Sequence, residues 1–346
     1  MSNKEQNATC PRRTSIGGQA LLEGIMMRGP KRTAMAVRNP QGEIVLEVDP
    51  TPAMGKSKIA RLPILRGIFS FISSMKLGYK YLMRSAEIAM PEELLEKEEE
   101  AEGKKKKKKE KAEGKSETSV LMGAIMVIAT VLGVVLSVGL FIMLPSFIYK
   151  WCAMLIPALK PENPALQSLV KSVFEGVLKI AVLVGYMLVV RLMKDIKRTF
   201  QYHGAEHKTI FCYEHGKELT VENVRGERRF HPRCGTSFLI LMLIVGIFIS
   251  FLIDPISILI FGKIPPTFLR ALIRLCLLPL MMGVGFELIK LAGKHDNLFT
   301  RIISAPGMWL QRITVLEPDD QMIECALAAF REVIPENDPP EDAKDA

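Results

Sequence analysis

Long apolar runs without charged side chains dominate the second half of the chain. A helix needs about 20 mostly apolar residues to cross the bilayer core. Four segments approach or exceed that length: 118–149, 173–190, 234–253 and 267–291. Pro145 is expected to end or kink the first helix, and Pro255 to end the third. The pattern therefore predicts a membrane α-helical protein with about four transmembrane helices.

The polar remainder divides by composition into segments. They are a disordered N-terminus (1–15), a cytoplasmic segment (16–90), a charged disordered linker (91–117), a histidine-rich cytoplasmic loop (191–233), a C-terminal cytoplasmic segment (292–334) and a disordered tail (335–346), with helix pairs at 118–190 and 234–291. Two β-prone runs flank the turn signal Asn39-Pro-Gln-Gly42. The sequence thus predicts a cytoplasmic α+β region containing a small β-hairpin.

A helix is predicted after Pro63 from apolar residues at helical spacing. These are Leu65, Ile68, Phe69, Ile72, Met75, Tyr79, Leu82 and Met83, with basic residues Arg66, Lys76, Lys80 and Arg84 among them. Two interpretations stay open: a basic amphipathic helix on the inner leaflet, or a helix packed within the cytoplasmic region.

A second amphipathic helix is predicted to begin near Pro318 and to dock on the cytoplasmic region. Proline and acidic residues are favoured in a first helical turn. Its apolar face consists of Met322, Ile323, Ala326, Phe330 and Val333.

The basic residues set the expected orientation. The chain has 46 Lys and Arg against 37 Asp and Glu, a net charge of +9. The segment before the first span holds 23 basic residues and 191–233 holds 10, whereas 150–171 holds 3. Because basic loops stay in the cytoplasm, both termini are predicted to lie on the cytoplasmic side of the membrane. The membrane is expected to be a bacterial cytoplasmic membrane. Six irregularly spaced cysteines do not form a secreted disulfide framework.

The six consecutive lysines Lys104–Lys109 predict attraction to the anionic lipid of the inner leaflet. Nucleic acid is not an expected partner, because no aromatic residues interleave with the lysines and glutamates adjoin them.

Candidate chemistry lies in the loop between spans two and three. His203-Gly-Ala-Glu-His207 places two imidazoles four residues apart on one helix face, a spacing that suits one metal ion. Glu206 would be a general base on water activated by that metal. His231 and Cys234 are further candidate ligands, for zinc or another divalent transition metal. Because a straight helix would carry His203 roughly 20 Å beyond Val190, the chain must bend, and Gly204 is a candidate bend.

Two alternatives compete with this site. Cys212, His215, His231 and Cys234 would instead form a closed structural zinc ribbon. The histidines would otherwise hydrogen-bond within a packed loop, with the cysteines as small buried hydrophobes.

Three more residues are weaker candidates. The glycine-rich segment 16–30 suggests tight turns, or a ligand role for Glu23 or Arg28. Glu287 would face the histidine loop as a ligand, or pair with Lys290 or Lys294.

Three motifs resemble the YqhQ-like family of bacterial membrane proteins. They are Gly17-Gly-Gln-Ala20 with Glu23-Gly-Ile-Met-Met-Arg28, His203-Gly-Ala-Glu-His-Lys208, and His231-Pro-Arg-Cys-Gly-Thr-Ser237. The resemblance runs from about Ile16 through the Pro318 helix, without 92–115. It implies a multi-pass membrane protein, described as a predicted metal-dependent enzyme, with His203, Glu206, His207, His231 and Cys234 as a common core. His215 is outside the pattern, which counts against the ribbon.

The sequence thus predicts a metal-dependent, hydrolytic membrane enzyme with its site on the cytoplasmic face. The alternative is a non-catalytic membrane scaffold or assembly factor, whose histidine loop is held by hydrogen bonds or by a structural metal.

Overall fold

The computed structural model describes residues 14–52, 62–89, 128, 131–232, 234–262, 266–294 and 297–334. The segments predicted to be disordered therefore lie outside the described residues, except Thr14 and Ser15. The described parts of Met1–Met90, Met187–Leu241 and Met282–Ala346 form one unit, and those of Pro91–Tyr186 and Met242–Met281 form another.

The first unit contains a four-stranded antiparallel sheet in the order β1-β2-β3-β4. Its strands are β1 (Gly17–Leu21), β2 (Gly24–Arg28), β3 (Arg32–Arg38) and β4 (Ile44–Pro50). The predicted hairpin is confirmed as β3–β4. The glycine-rich segment does more than turn, because it supplies two further strands. Its turn at Glu23, which has a positive φ of 50°, joins β1 to β2.

Alternating side chains give the sheet two buried faces. One face packs Leu21, Met26, Met35 and Val37 against Tyr81 of helix α1 (Leu65–Ala89). The predicted helix after Pro63 is thus present. Lys80 and Arg84 of α1 form ion pairs with Asp49 and Glu47 of β4.

The opposite face packs against helices α4 (Lys194–Glu214) and α9 (Asp320–Arg331). The short helix α5 (Val221–Arg225) contacts both of them. Ile25, Met27, Ala34 and Ala36 meet Tyr202 and Ala205 of α4 and the buried face of α9 there. Asp319 caps α9 by accepting a hydrogen bond from the Met322 amide. The prediction that the Pro318 helix docks on this region is confirmed.

Within the part of the chain that the structure describes, four helices are long and apolar enough to cross a membrane. They are α2 (Val131–Leu155), α3 (Pro164–Val190), α6 (Gly235–Phe261) and α7 (Thr267–Lys294). Neither proline ends its helix, so the prediction for Pro255 was wrong, and of the two possibilities for Pro145 only a kink stays a prediction. α2 continues through Pro145 after a π-helical turn at Gly139–Met143, and α6 continues through Pro255. A helix can contain proline when neighbouring groups satisfy the freed carbonyl.

A buried carboxylate explains one of the charges near the end of a span. Glu175 of α3 is 1% exposed and accepts a hydrogen bond from Ser146 at 2.8 Å. Lys171 lies 3.7 Å from it and Arg274 lies 3.4 Å from it. This charge therefore faces protein groups of opposite sign.

The bend that the histidines require is not at Gly204. α3 ends at Val190 and α4 begins at Lys194, so the interruption is Arg191–Met193. Gly204 lies inside α4, where a Cβ would stand 1.9 Å from the Leu316 carbonyl oxygen. Its function is close packing of α4 on the segment after helix α8 (Leu298–Thr314).

Candidate metal centre

Two histidines of α4 share one face and are held in one tautomer. The His203 and His207 rings lie 4.4 Å apart between centroids. His203 Nδ1 donates to the Thr314 carbonyl at 3.1 Å, and His207 Nδ1 donates to the Arg229 carbonyl. Because carbonyl oxygens accept only, each Nδ1 must carry the proton. Both Nε2 atoms are then available as metal ligands, in the arrangement that carbonyl partners give to metal-binding histidines.

Cys234 lies against these nitrogens, immediately before α6. Its Sγ is 3.1 Å from His203 Nε2. Two ligands of one tetrahedral zinc ion are separated by roughly 3.5 Å, so the pair is close to that arrangement. The ligand atoms of His203, His207 and Cys234 all lie within 4.8 Å of one another. No other group of three potential ligands converges in this way within the described residues.

The surroundings of Cys234 favour its thiolate. Burial by itself raises the pKa of Cys234, but the charge of His207 and hydrogen bonds from His207 and Thr236 outweigh it and lower that pKa. The Thr236 amide reaches Sγ at 3.4 Å at the beginning of α6, and a helix N-terminus favours negative charge. Burial lowers the pKa of His207. The neutral His207 that burial favours is the form that binds metal, whereas the lowered pKa of Cys234 arises when His207 carries a charge.

Glu206 lies beside the three ligands and borders a cleft. Burial raises the pKa of Glu206 to about 7, although the charge of His203 and a hydrogen bond from the Gly18 amide oppose that effect. A cleft of 290 Å³ is lined by Glu206, His207, His231 and Cys234 and, across from them, by the segment Thr14–Gly18. A carboxyl group with a pKa near neutrality can both accept and return a proton.

His231 lies behind the convergent group. Its ring centroid is 5.6 Å from that of His207, and its Nε2 is 3.8 Å from a Glu214 carboxylate oxygen. His231 is thus next to the three ligands but outside the group whose atoms converge. Its role as a ligand stays a prediction.

Gln311 of α8 holds the backbone of His231 in place and was missed by the sequence analysis. Its Oε1 accepts from the His231 amide at 2.8 Å, and its Nε2 donates to the His231 carbonyl at 2.8 Å. Thr314, three residues later, supplies the carbonyl for His203. The available signal was a glutamine on the apolar face of an amphipathic helix, between buried Leu310 and Ile313.

Comparison with known proteins gives the chain a family. Residues 62–336 match the family described as "Protein of unknown function (DUF1385)". The chain belongs to this family. It is also 33% identical over 326 residues, 92% of each chain, to "Uncharacterized protein YqhQ" of Bacillus subtilis (strain 168). The YqhQ-like resemblance is therefore confirmed. No solved structure matches the chain.

Two of the residues predicted for the alternative zinc ribbon have other partners. Cys212 donates to the Glu218 carbonyl at 3.4 Å, and His215 Nδ1 lies 2.9 Å from a Glu227 carboxylate oxygen. Neither residue belongs to the group of three ligands. Within the described residues, the closed four-ligand ribbon is therefore not assembled.

The remaining candidates occupy other places in this DUF1385 protein. Glu23 forms a two-point ion pair with Arg198 of α4, which ties the β1–β2 turn to that helix. Glu287 of α7 pairs with Arg66 of α1, and the charge of Lys290 also interacts with the Glu287 carboxylate. The role of Glu287 as a metal ligand stays a prediction. Arg28 lines a second, larger cleft of 570 Å³ on the α1 side of the sheet.

Proposed function

We propose that this protein is an integral membrane enzyme that binds zinc, or another divalent transition metal, and catalyses hydrolysis on the cytoplasmic face. The carrying observation is the convergence of two Nε2 atoms with fixed tautomers and one buried cysteine beside Glu206. Three protein ligands with an accessible fourth position are typical of catalytic zinc. The cleft supplies the access.

The residues divide the chemistry among them. His203, His207 and Cys234 would hold the metal, which when bound supplies a positive charge that activates water and polarises the substrate. Glu206 would accept the proton of the attacking water and return it to the leaving group. The Gly18 amide orients the Glu206 carboxylate toward the cleft.

The membrane assignment rests on four apolar helices and on the asymmetry of basic residues. Two amphipathic helices of the first unit support it. In α1 the face formed by Phe69, Ile72, Met75 and Tyr79 is exposed, because the sheet packs on Tyr81 instead. In α8, Leu298, Phe299, Ile302 and Trp309 are exposed, Ile302 to 62%.

Both exposed faces belong to helices that pack beside the beginning of α6. Phe71 of α1 lies 5.7 Å from Phe238 between ring centroids, and Gly307 of α8 packs on Ser237. The first turns of α6 follow Cys234 directly. We therefore place α1 and α8 on the anionic inner leaflet and the metal centre close beneath it.

Metal analysis of the full chain, purified in detergent, tests the proposal. We expect about one zinc or other transition metal ion per chain, and loss of most of it in His203→Ala. His215→Ala is the matched control, because His215 lies outside the convergent group, and it should retain the metal. Absence of stoichiometric metal, or equal content in both variants, contradicts the proposal.

The competing function is a non-catalytic scaffold, favoured by the dense hydrogen bonding around the histidines. Glu206→Gln separates the two functions. If the protein is an enzyme, Glu206→Gln should retain the metal but should not complement a strain that lacks the gene. If the protein is a scaffold, Glu206→Gln should retain the metal and should complement that strain.

A further inference from the structure

The outer side of β1 is the open edge of the sheet closest to the candidate metal centre. Among the residues that the structure describes, β1 pairs with β2 alone in the sheet order. β1 and β2 are joined by a two-residue turn, with Leu21 opposite Gly24. In such a hairpin, alternate residues direct their amides away from the partner strand. Gly18 and Ala20 are two of them. The Gly18 amide already donates to Glu206, so an added strand would pair with the Ala20 amide and with the outward carbonyl groups of β1.

The two clefts open on opposite faces of this edge. The smaller one contains Glu206, His207 and Cys234, on the α4 face. The larger one contains Gln19, Arg28, Ser70 and Ser74, on the α1 face. Ser15, Gly17 and Gly18 line both. A strand added along β1 would project successive side chains alternately into the two clefts.

Gly17 has no packing reason to be glycine. No heavy atom lies within 4 Å of the place where its Cβ would be, and it is not among the described residues with a positive φ. Gly18, in contrast, is required, because its Cβ would stand 2.7 Å from the Met26 carbonyl oxygen and 2.9 Å from Glu206 Cδ. Glycine in a strand often marks a bulge, a bend or a place where a ligand or another backbone approaches closely, and the open space at Gly17 is compatible with such an approach.

We infer that the outer edge of β1 binds an extended segment of a protein substrate by strand addition, with alternate side chains in the two clefts. This inference rests on the proposed hydrolytic site and names its substrate class as a peptide. Backbone hydrogen bonds give affinity in this mode, and the clefts give selectivity. Arg28 is the charged side chain among the described residues lining the larger cleft, so an acidic substrate residue is favoured there.

The reaction balances as amide hydrolysis. The oxygen of one water molecule bonds to the peptide carbonyl carbon, and the carbon–nitrogen bond breaks. Glu206 accepts the proton from the water and passes it to the leaving nitrogen. The products are a carboxylate terminus and an amine terminus.

The test is binding of fluorescent decapeptides to the full-length Glu206→Gln variant in detergent, measured by anisotropy. The first pool consists of decapeptides with one fixed aspartate and random residues at the other positions. The second pool is identical except that alternate backbone amides are N-methylated. We expect saturable binding of the first pool and at least tenfold weaker binding of the methylated pool, which lacks the donors for one strand edge.

Gly17→Leu should weaken binding at least tenfold without changing metal content. Gly185→Leu is the matched control, because its Cβ also has open space, and it should bind as the parent does. No saturable binding, equal binding of both pools, or unchanged binding by Gly17→Leu overturns the inference. If the protein binds metal but fails these tests, only the inference is lost. If it binds peptides but no metal, the proposed function fails and the edge remains a peptide-binding site.

Discussion

Gly204 shows how a single residue fixes the position of α4 and therefore of both histidines. A Cβ at this position would stand 1.9 Å from the Leu316 carbonyl oxygen, which is backbone and cannot yield as a side chain would. The adjacent His203 depends on this close approach for the Thr314 carbonyl that accepts a hydrogen bond from its Nδ1.

Gly204→Ala is therefore expected to destabilise the protein by about 1–3 kcal/mol or more, as overpacking does. Thermal unfolding in detergent should show it as a lower midpoint. Gly226→Ala is the control, because its Cβ would be 3.5 Å from the Asn223 carbonyl oxygen, an ordinary contact. Equal midpoints for the two variants would contradict this account of α4.

Gln311 supports His231 through two buried backbone groups. Gln311→Leu leaves the amide and carbonyl of His231 without that partner, which costs about 1–3 kcal/mol for each buried group left unpaired. We expect a lower unfolding midpoint and weaker metal retention during dialysis against a chelator. Arg312→Gln changes the exposed neighbour and should alter neither. Unchanged metal retention in Gln311→Leu would show that the His231 segment does not support the site.

At the scale of elements, α1 has a basic side that pairs with the sheet and an apolar side that is largely exposed. Lys80 and Arg84 pair with acidic residues of β4, while Met75 is 59% exposed on the apolar side. Of the two interpretations that the sequence left open, packing within the first unit is present, and contact with the inner leaflet stays a prediction. The helix is packed on the sheet, yet most of the apolar face identified from the sequence is exposed.

The α1–β4 contact should depend on pH through Asp49. Hydrogen bonds from Lys80 and Tyr81 lower the pKa of Asp49 below its ordinary 3.8. A lowered folded-state pKa contributes stability above the unfolded value, and this contribution disappears as pH falls through the folded value. Because the pair is partly exposed, the contribution is about 0.5 kcal/mol. Asp49→Asn should therefore be less stable than the parent at pH 7.

The measurement compares the unfolding midpoints of Asp49→Asn and the parent at pH 7 and pH 3. The difference should shrink at pH 3, below the ordinary pKa of 3.8, because the stability contributed by the ionised carboxylate declines there. The prediction is wrong if the difference at pH 3 is as large as that at pH 7.

At the scale of the whole molecule, the distribution of basic residues predicts that both termini and the histidine loop face the cytoplasm. A fluorescent protein fused to the C-terminus should therefore fluoresce, and alkaline phosphatase fused there should be inactive. Alkaline phosphatase inserted at Lys160, between α2 and α3, should be active. The reverse pattern would place the candidate metal centre on the other side of the membrane.

Much of the fold was predictable because its signals are local. Apolar runs fixed the four long helices, the period of α1 and α9 fixed two amphipathic helices, and Asn39–Gly42 fixed one hairpin. The strands β1 and β2 were not predicted, because glycines and turn residues weaken strand patterns. Neither Pro145 nor Pro255 ends its helix, and a sequence pattern does not reveal whether neighbouring groups can satisfy the carbonyl that a proline leaves unpaired.

The candidate site was predictable only in part. His203 and His207 share a helix face by spacing alone, so the sequence by itself determined that pair. Only the tertiary structure brought Cys234 to His203, set His231 outside the convergent group, and supplied Thr314, Arg229 and Gln311 as partners. The physical reason is range: helix period is a property of neighbouring residues, whereas these contacts join residues that are remote in the chain and depend on how α4, α6 and α8 pack.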